Sequence, residues 1–465
     1  MRIFEWLLIV VIGITLLLRF VRLQKYPWVN LFPLFGLLVL GYHYFLEGMR
    51  WQMVPLYLLA LWMIPNSVRQ AMRPSDEPQI AWTLLGLALL PIMSILPIAL
   101  PVPRFPEPRG IYGVGTTTLY WLDEERQEVY VDTPDAPRRV MVQIWYPIGA
   151  DTTGELAPYL PDGKLDAQIL ASSYGFPSWF LEHFLLSKTN AILDAPLATC
   201  LDSWPVLIFS HGWNGFRYQN TTQMEELASQ GYIVFAPEHA YGALLSMYPD
   251  GSVAFNKPEA LPSGVSDEEY DQAARILGQS WVGDIRFTLD QIELMQGGKL
   301  VSIFNGKLNL EQIGLMGHST GGGAVLEVCQ MDERCKAVLA QDPWLVPYDR
   351  QITIQAYLKP QLSIFSERWK SEKNLPLLQS FWESQPSGKQ KITISGTSHY
   401  DFTDLPVFSP IANVIGLKGP IAASREIPLI NDTLLGFFEQ NLLNKDSTRL
   451  QQAFDAYPEM LIETR

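Results

Sequence analysis

Cysteine is scarce in this chain, with only Cys200, Cys329 and Cys335 among 465 residues. Three are too few for a disulfide framework, and their spacing is not that of a zinc site. They are expected to be small buried apolar residues. Basic charge is also in deficit: the net charge is −14 and Lys and Arg form no cluster, which excludes the basic face that nucleic-acid binding needs. Histidine is limited to six residues. His211 has no companion at metal-ligand spacing, so neither a metal nor a cofactor is implied. Internal repeats and low-complexity tracts are absent. No feature fixes an oligomeric state.

Charge is thinnest in residues 1–101, and long apolar runs take its place. Four stand out: about Phe4 to Phe20, Trp28 to Leu46, Trp51 to Pro65 and Ile80 to Pro101. A helix needs roughly 20 apolar residues to cross a bilayer, and the second and fourth runs meet that length. The first carries Arg19, which can snorkel to the interface, and the third is short. Trp28, Trp51, Trp62 and Trp82 lie near the ends of the runs, as an aromatic belt requires. No A-x-A-like site follows the first run, which argues against a cleaved signal peptide. An integral, multi-pass membrane region of about four helices is therefore expected. With four spans, Arg19, Arg22, Lys25, Arg69 and Arg73 fall on one side, and Arg2, Arg50, Arg104 and Arg109 on the other. The positive-inside rule then puts the rest of the chain on the extracytoplasmic side.

Residues 102–116 contain the end of "PVPRFPEPR", a proline-rich stretch that cannot continue a helix and reads as a stiff linker. The segments "TTTLYWL", "QEVYVDT" and "RRVMVQIWYP" alternate as antiparallel strands do. From "PVLIFS" onward short continuous apolar runs alternate with helical patterns, through "YIVFAPEH", "EQIGLMG", "KAVLAQD", "PQLSIFSE" and "QKITISG". That is the pattern of a mostly parallel sheet covered by helices on both faces. Residues 117–465 are thus expected to form one α/β domain with an insert at about 150–200, preceded by the all-helical membrane region.

One stretch, Gly317-His318-Ser319-Thr320-Gly321, is G-x-S-x-G between a buried strand and a helix. In that context it is the nucleophile turn of an α/β-hydrolase fold. The alternative of a phosphate cradle lacks the P-loop lysine. A serine hydroxyl needs a base to remove its proton, and in this fold the chain order is serine, acid, histidine. Only His399 follows Ser319. Asp342, at the end of "VLAQD", and Glu367, at the end of "LSIFSE", are both placed to orient it, and sequence order leaves both open. Backbone donors for a developing oxyanion are expected from Thr320, the residue after the nucleophile, and from Trp213 in "FSHGWNG".

The chain resembles the platelet-activating factor acetylhydrolase family on "VQIWYP", "DAPLA" followed by "PVLIFSHG", "ELASQGYIVFAPEHAYG", "DIRFTLDQI", "GHSTGGG", "AVLAQDPW" and "GTSHYDFTDLP", in that order. The resemblance covers about residues 110 to 465. It implies a calcium-independent serine esterase acting on lipid or small esters, and it places the acid on Asp342, the nucleophile and base on Ser319 and His399, and the oxyanion donors on Trp213 and Thr320. Thr320 stands where a phenylalanine is common in the family, and Trp213 where a smaller apolar residue is common. The segment Tyr174 to Ala198 is similar to a family insert that reads either as a lid or acyl-binding wall or as plain packing on the sheet. The expected function is a membrane-anchored serine carboxylic-ester hydrolase that releases short acyl groups from phospholipid-like esters through an acyl-enzyme. A general short-chain esterase, polyester hydrolase or acyltransferase of the same fold, or a non-catalytic membrane-bound binding module, are the alternatives.

Overall fold

The computed structural model describes residues 1–72, 80–443, 445 and 448–465; Arg73, counted above for membrane orientation, lies outside them. The chain divides into two compact units. One comprises Met1–Arg104 with Ala171–Ser187 and Phe408–Ile411, and the other Phe105–Leu170, Lys188–Val407 and Ala412–Arg465.

The first unit is helical. Its helices span Ile3–Phe20, Phe32–Tyr42, Val54–Met72 and Ile80–Ala99. Three stretches, Ile3–Phe20, Trp28–Glu47 and Ile80–Ala99, are long and apolar enough to cross a membrane. Helix Val54–Met72 falls short because polar residues from Asn66 onward fill its last turns. Leu8, Ile12, Leu16, Leu56 and Met63 pack inward, while Trp6, Leu17, Leu38, Ile92 and Ile95 are exposed. This unit therefore carries apolar residues on its exterior as well as in its interior. Charge inside such a bundle must be paired, and the fully buried Glu5 accepts hydrogen bonds from Arg50 Nε at 2.6 Å and Arg2 Nη2 at 2.9 Å. His43 lies between Glu47 and Tyr57, at 2.9 and 2.6 Å. Trp51 Nε1 donates to the Phe180 carbonyl at 3.0 Å, so part of the Tyr174–Ala198 segment belongs to this helical unit.

The second unit is built on strands β1 Gly113–Gln127, β2 Pro137–Ile148, β3 Leu156–Pro158, β4 Lys188–Leu193, β5 Trp204–Ser210, β6 Ile233–Glu238, β7 Leu245–Met247, β8 Val253–Phe255, β9 Leu308–His318, β10 Cys335–Gln341, β11 Gln361–Ser366, β12 Gln390–Ile394 and β13 Met460–Thr464. All except the β7–β8 hairpin form one sheet in the order β13-β12-β11-β10-β9-β5-β6-β2-β1-β4-β3. Strands β6, β5, β9, β10, β11 and β12 run parallel; β2 joins β6, and β13 joins β12, in antiparallel pairs. The central strands β5 and β6 are buried along their whole length, as helices on both faces demand. A single 30-residue helix, Asp267–Gln296, covers one face with Trp281, Ile285, Leu289 and Ile292. Helix Ala423–Leu442 brings Phe438 and Leu442 against Gly314 of β9.

Three expectations are corrected. Cys329 and Cys335 form a disulfide and Cys200 is exposed. The turn Asp332–Arg334 returns the chain so tightly after helix Thr320–Met331 that the two Cα atoms come within 5.1 Å, inside disulfide reach. Past Gln127, which ends β1, "QEVYVDT" is a turn rather than a strand, and there the Glu128 carboxylate pairs with the buried Arg138 guanidinium. The edge strand β13, unforeseen in the sequence, closes the sheet beside β12.

Candidate active site

Strand β9 ends at His318 and helix Thr320–Met331 starts immediately, so Ser319 takes the whole reversal. Its backbone sits at φ 56° and ψ −119°, a conformation an L-residue adopts only under constraint from its surroundings. The glycines make the turn sterically possible: a Cβ on Gly317 would lie 2.4 Å from the Gly321 carbonyl oxygen, and one on Gly321 would lie 2.2 Å from that of Ser210. Ser319 N–H donates to the Gln341 carbonyl at 2.9 Å and the Ser319 carbonyl accepts from Trp344 N–H at 2.9 Å. The serine is thus fixed at the amino end of a 12-residue helix, where the dipole favours negative charge.

His399 reaches it from the loop after β12. His399 Nε2 lies 2.9 Å from Ser319 Oγ, and His399 Nδ1 lies 3.0 Å from Asp342 Oδ2. Asp342, at the end of β10, is fully buried and accepts further hydrogen bonds from Ser366 N–H at 2.8 Å and Ser366 Oγ–H at 2.6 Å. A carboxylate accepts only, so His399 carries its ring proton on Nδ1 and turns the basic Nε2 toward the serine. Glu367, the other acid considered, is exposed and accepts Gly396 N–H at 2.7 Å. It clasps the loop that carries His399 and does not meet the imidazole.

His318 supports the same loop. Its Nε2 donates to the His399 carbonyl at 3.0 Å, and its Nδ1 accepts from Gln219 Nε2 at 3.2 Å. Burial, with the neighbouring His399 second, pushes the His318 imidazole well below its ordinary value, so it stays neutral and keeps one donor and one acceptor role. Trp369 lies flat on His399, ring centroids 4.3 Å apart and planes 15° apart.

The loop after β5 approaches so closely that a Cβ on Gly212 would lie 3.2 Å from Ser319 Cβ. Within it His211 Nδ1 donates to the Gly212 carbonyl at 2.8 Å, and His211 Nε2 accepts His239 N–H at 3.1 Å. Asn214 and Gly215 direct their N–H groups to the Gly242 and Gly212 carbonyls. Trp213 lines the cleft with Ser319 and Thr320. Thr320 opens the helix, so its N–H is one of those without an intrahelical acceptor.

This cleft, about 780 Å³, also has walls from Tyr270, Trp344, Trp369 and Tyr400. The Tyr174–Ala198 segment contributes none of its described lining; its first part packs with the N-terminal helices, and Lys188–Leu193 becomes β4. Ser366, Gln219 and Trp369 were missed in the sequence. Only their proximity in the fold gives them a role, and no motif marks them. Among the described residues no group of three or more metal-ligating side chains gathers.

The fold and the relatives that follow define the class, a carboxylic-ester hydrolase with the α/β-hydrolase fold. The family model described as platelet-activating factor acetylhydrolase, isoform II, matches residues 101–258 and 267–461. The chain belongs to that family. It is similar to the platelet-activating factor acetylhydrolase of Gallus gallus, 24% identical over 382 residues, covering 76% of this chain and 87% of the relative. The Canis lupus familiaris protein of the same name is 26% identical, covering 77% and 82%. A probable 1-alkyl-2-acetylglycerophosphocholine esterase of Arthroderma benhamiae is 24% identical, covering 77% and 92%. A ferulic acid esterase structure from Streptomyces cinnamoneus matches with a TM-score of 0.62 at 23% identity, over 78% of this chain and 99% of that one; this likeness speaks to the fold alone.

Proposed function

We propose that the chain is a membrane-anchored serine esterase that removes short acyl groups from phospholipid-like esters through an acyl-enzyme. The line Ser319 Oγ, His399, Asp342, with links of 2.9 and 3.0 Å, carries this reading. Ser319 Oγ attacks the ester carbonyl while His399 Nε2 takes its proton. The Trp213 and Thr320 N–H groups face the resulting oxyanion. Collapse breaks the bond to the alcohol, which leaves with the proton from His399. Water, deprotonated by the same nitrogen, then attacks the acyl-serine, and the carboxylic acid departs as Ser319 recovers its proton. Asp342 holds the tautomer and stabilises the imidazolium. The names of the relatives supply the lipid assignment; the aromatic walls of the cleft favour, as a second reading, a general short-chain or aromatic ester.

The three membrane-competent helices support an integral, multi-pass anchor. The Cys329–Cys335 bond adds to the charge distribution in supporting an extracytoplasmic hydrolase unit, since such bonds persist in oxidising compartments. Detergent-solubilised protein tested on phosphatidylcholines carrying an acetyl or a long acyl group at the second position, and on p-nitrophenyl acetate, separates the readings. Turnover restricted to the acetyl phospholipid and the small ester supports the proposal. Turnover of the small ester alone retires the lipid assignment.

A further inference from the structure

The indole of Trp369 is unaccounted for in the reaction above, although it covers the imidazole that must carry charge. It comes from the loop after β11, which is tied to the His399 loop at two points and to Asp342 at a third. Gly396 N–H donates to Glu367 at 2.7 Å, Arg368 N–H donates to the Thr397 carbonyl at 3.2 Å, and Ser366 holds Asp342. The two rings are therefore held face to face by backbone fastened on both sides of the stack. A near-parallel contact at 4.3 Å and 15° places the electron-rich indole face against the ring that becomes cationic when Ser319 loses its proton. That arrangement attracts a cation and more weakly a neutral ring.

We propose that Trp369 is a positioning residue for His399: its indole fixes the imidazole plane between Asp342 and Ser319 and stabilises the imidazolium formed in each half-reaction. This rests on the reading of His399 as the base. The other groups facing His399 are the Asp342 carboxylate at 3.0 Å, the neutral His318 ring with centroids 4.4 Å apart, and the Tyr400 ring at 5.4 Å. Glu372 and Lys373 line the same cleft, with Lys373 bound to Asp267 at 2.7 Å, and Glu367 is held by Gly396. None of these is altered by changing the indole.

Trp369 also lines a second cavity of about 270 Å³, together with Phe365, Leu378 and Trp382. An alanine there would open space in both cavities, so the informative variants are Trp369→Phe, which keeps a weaker π face, and Trp369→Leu, which keeps apolar bulk without one. Both would be compared with the unaltered protein on p-nitrophenyl acetate, measuring kcat and KM across pH, together with fluorophosphonate labelling and thermal midpoints. The base acts only when neutral, so kcat/KM rises with pH. Losing cation stabilisation moves that rise to lower pH and lowers the plateau. The expected result is a rise displaced downward by roughly half to one pH unit and kcat down about 3- to 10-fold in Trp369→Leu, with Trp369→Phe between, and KM within about 2-fold. A wall or folding role alone would change KM or the thermal midpoint and leave the rise in place. An undisplaced rise in both variants, or equal behaviour of Phe and Leu, overturns the proposal while labelling of Ser319 keeps the esterase reading. An unaltered protein that neither labels nor hydrolyses removes both.

Discussion

Replacing Asp342 by asparagine separates it from Glu367, the alternative acid that sequence order left open, because the consequence follows from counting donors. Three hydrogens point at the Asp342 carboxylate: Ser366 N–H at 2.8 Å, Ser366 Oγ–H at 2.6 Å and His399 Nδ1–H at 3.0 Å. An amide has one oxygen and an NH2 group. Ser366 N–H cannot rotate and claims the oxygen, while the Ser366 hydroxyl can turn and accept. The NH2 then faces His399 Nδ1 and drives the imidazole to the tautomer with its proton on Nε2, aimed at Ser319 Oγ, where it cannot accept the serine proton. The side chain keeps its size and the fold is retained, yet kcat should fall by roughly 10³- to 10⁴-fold with little change in KM, the scale known for this tautomer inversion in triad hydrolases. Glu367→Gln, by contrast, leaves the amide oxygen free to accept Gly396 N–H and should stay within about 3-fold of the unaltered rate. Steady-state kinetics on p-nitrophenyl acetate with both purified variants decides. Loss in Glu367→Gln, or an Asp342→Asn enzyme within 10-fold of normal, refutes the assignment.

Other consequences follow from particular contacts. Gly321→Ala places a methyl group 2.2 Å from the Ser210 carbonyl oxygen, so soluble, active protein should be lost, as expression and probe labelling would show. Mutating both Cys329 and Cys335 to alanine opens a short loop of sequence separation 6 and should reduce stability by about 2 kcal/mol, read by denaturant titration of the hydrolase unit with and without reductant; reductant should have no effect on the double variant. Asp166, buried and next to the Asp162 carboxylate, is pushed up to about 7. Its folded value lies above the unfolded one, so the stability it brings is complete below about pH 4 and is lost as pH rises through 7. Asp166→Asn should flatten that part of a thermal-midpoint series from pH 4 to 8.

The parallel sheet was legible because buried strands read as continuous apolar runs and helices as amphipathic ones, so "PVLIF" and "EQIGLMG" found their places as β5 and β9. The sharp turn at Ser319 was legible because Gly317 and Gly321 leave no room for a Cβ. What escaped the sequence depends on distance across the fold. Glu367 and Asp342 both end strands, and only the register of β10 against β11 puts Ser366 beside Asp342 and turns Glu367 outward to Gly396. The disulfide was hidden because cysteine counting carries no information about a three-residue turn. Trp369 sits in a loop, where no periodicity marks which ring it will cover. The N-terminal helices were readable as membrane-competent from length and composition, whereas the pairing of Glu5 with Arg50, 45 residues away, was not.

The central claim is that Ser319 becomes acylated during turnover. Detergent-solubilised protein and its Ser319→Ala variant, treated with a fluorophosphonate and digested for mass spectrometry, test this directly. The prediction is one adduct on the peptide containing Ser319, absent from the variant and suppressed by prior incubation with the ester substrate. A folded protein that hydrolyses esters yet carries no adduct at Ser319, or an alanine variant with unchanged turnover, would contradict it.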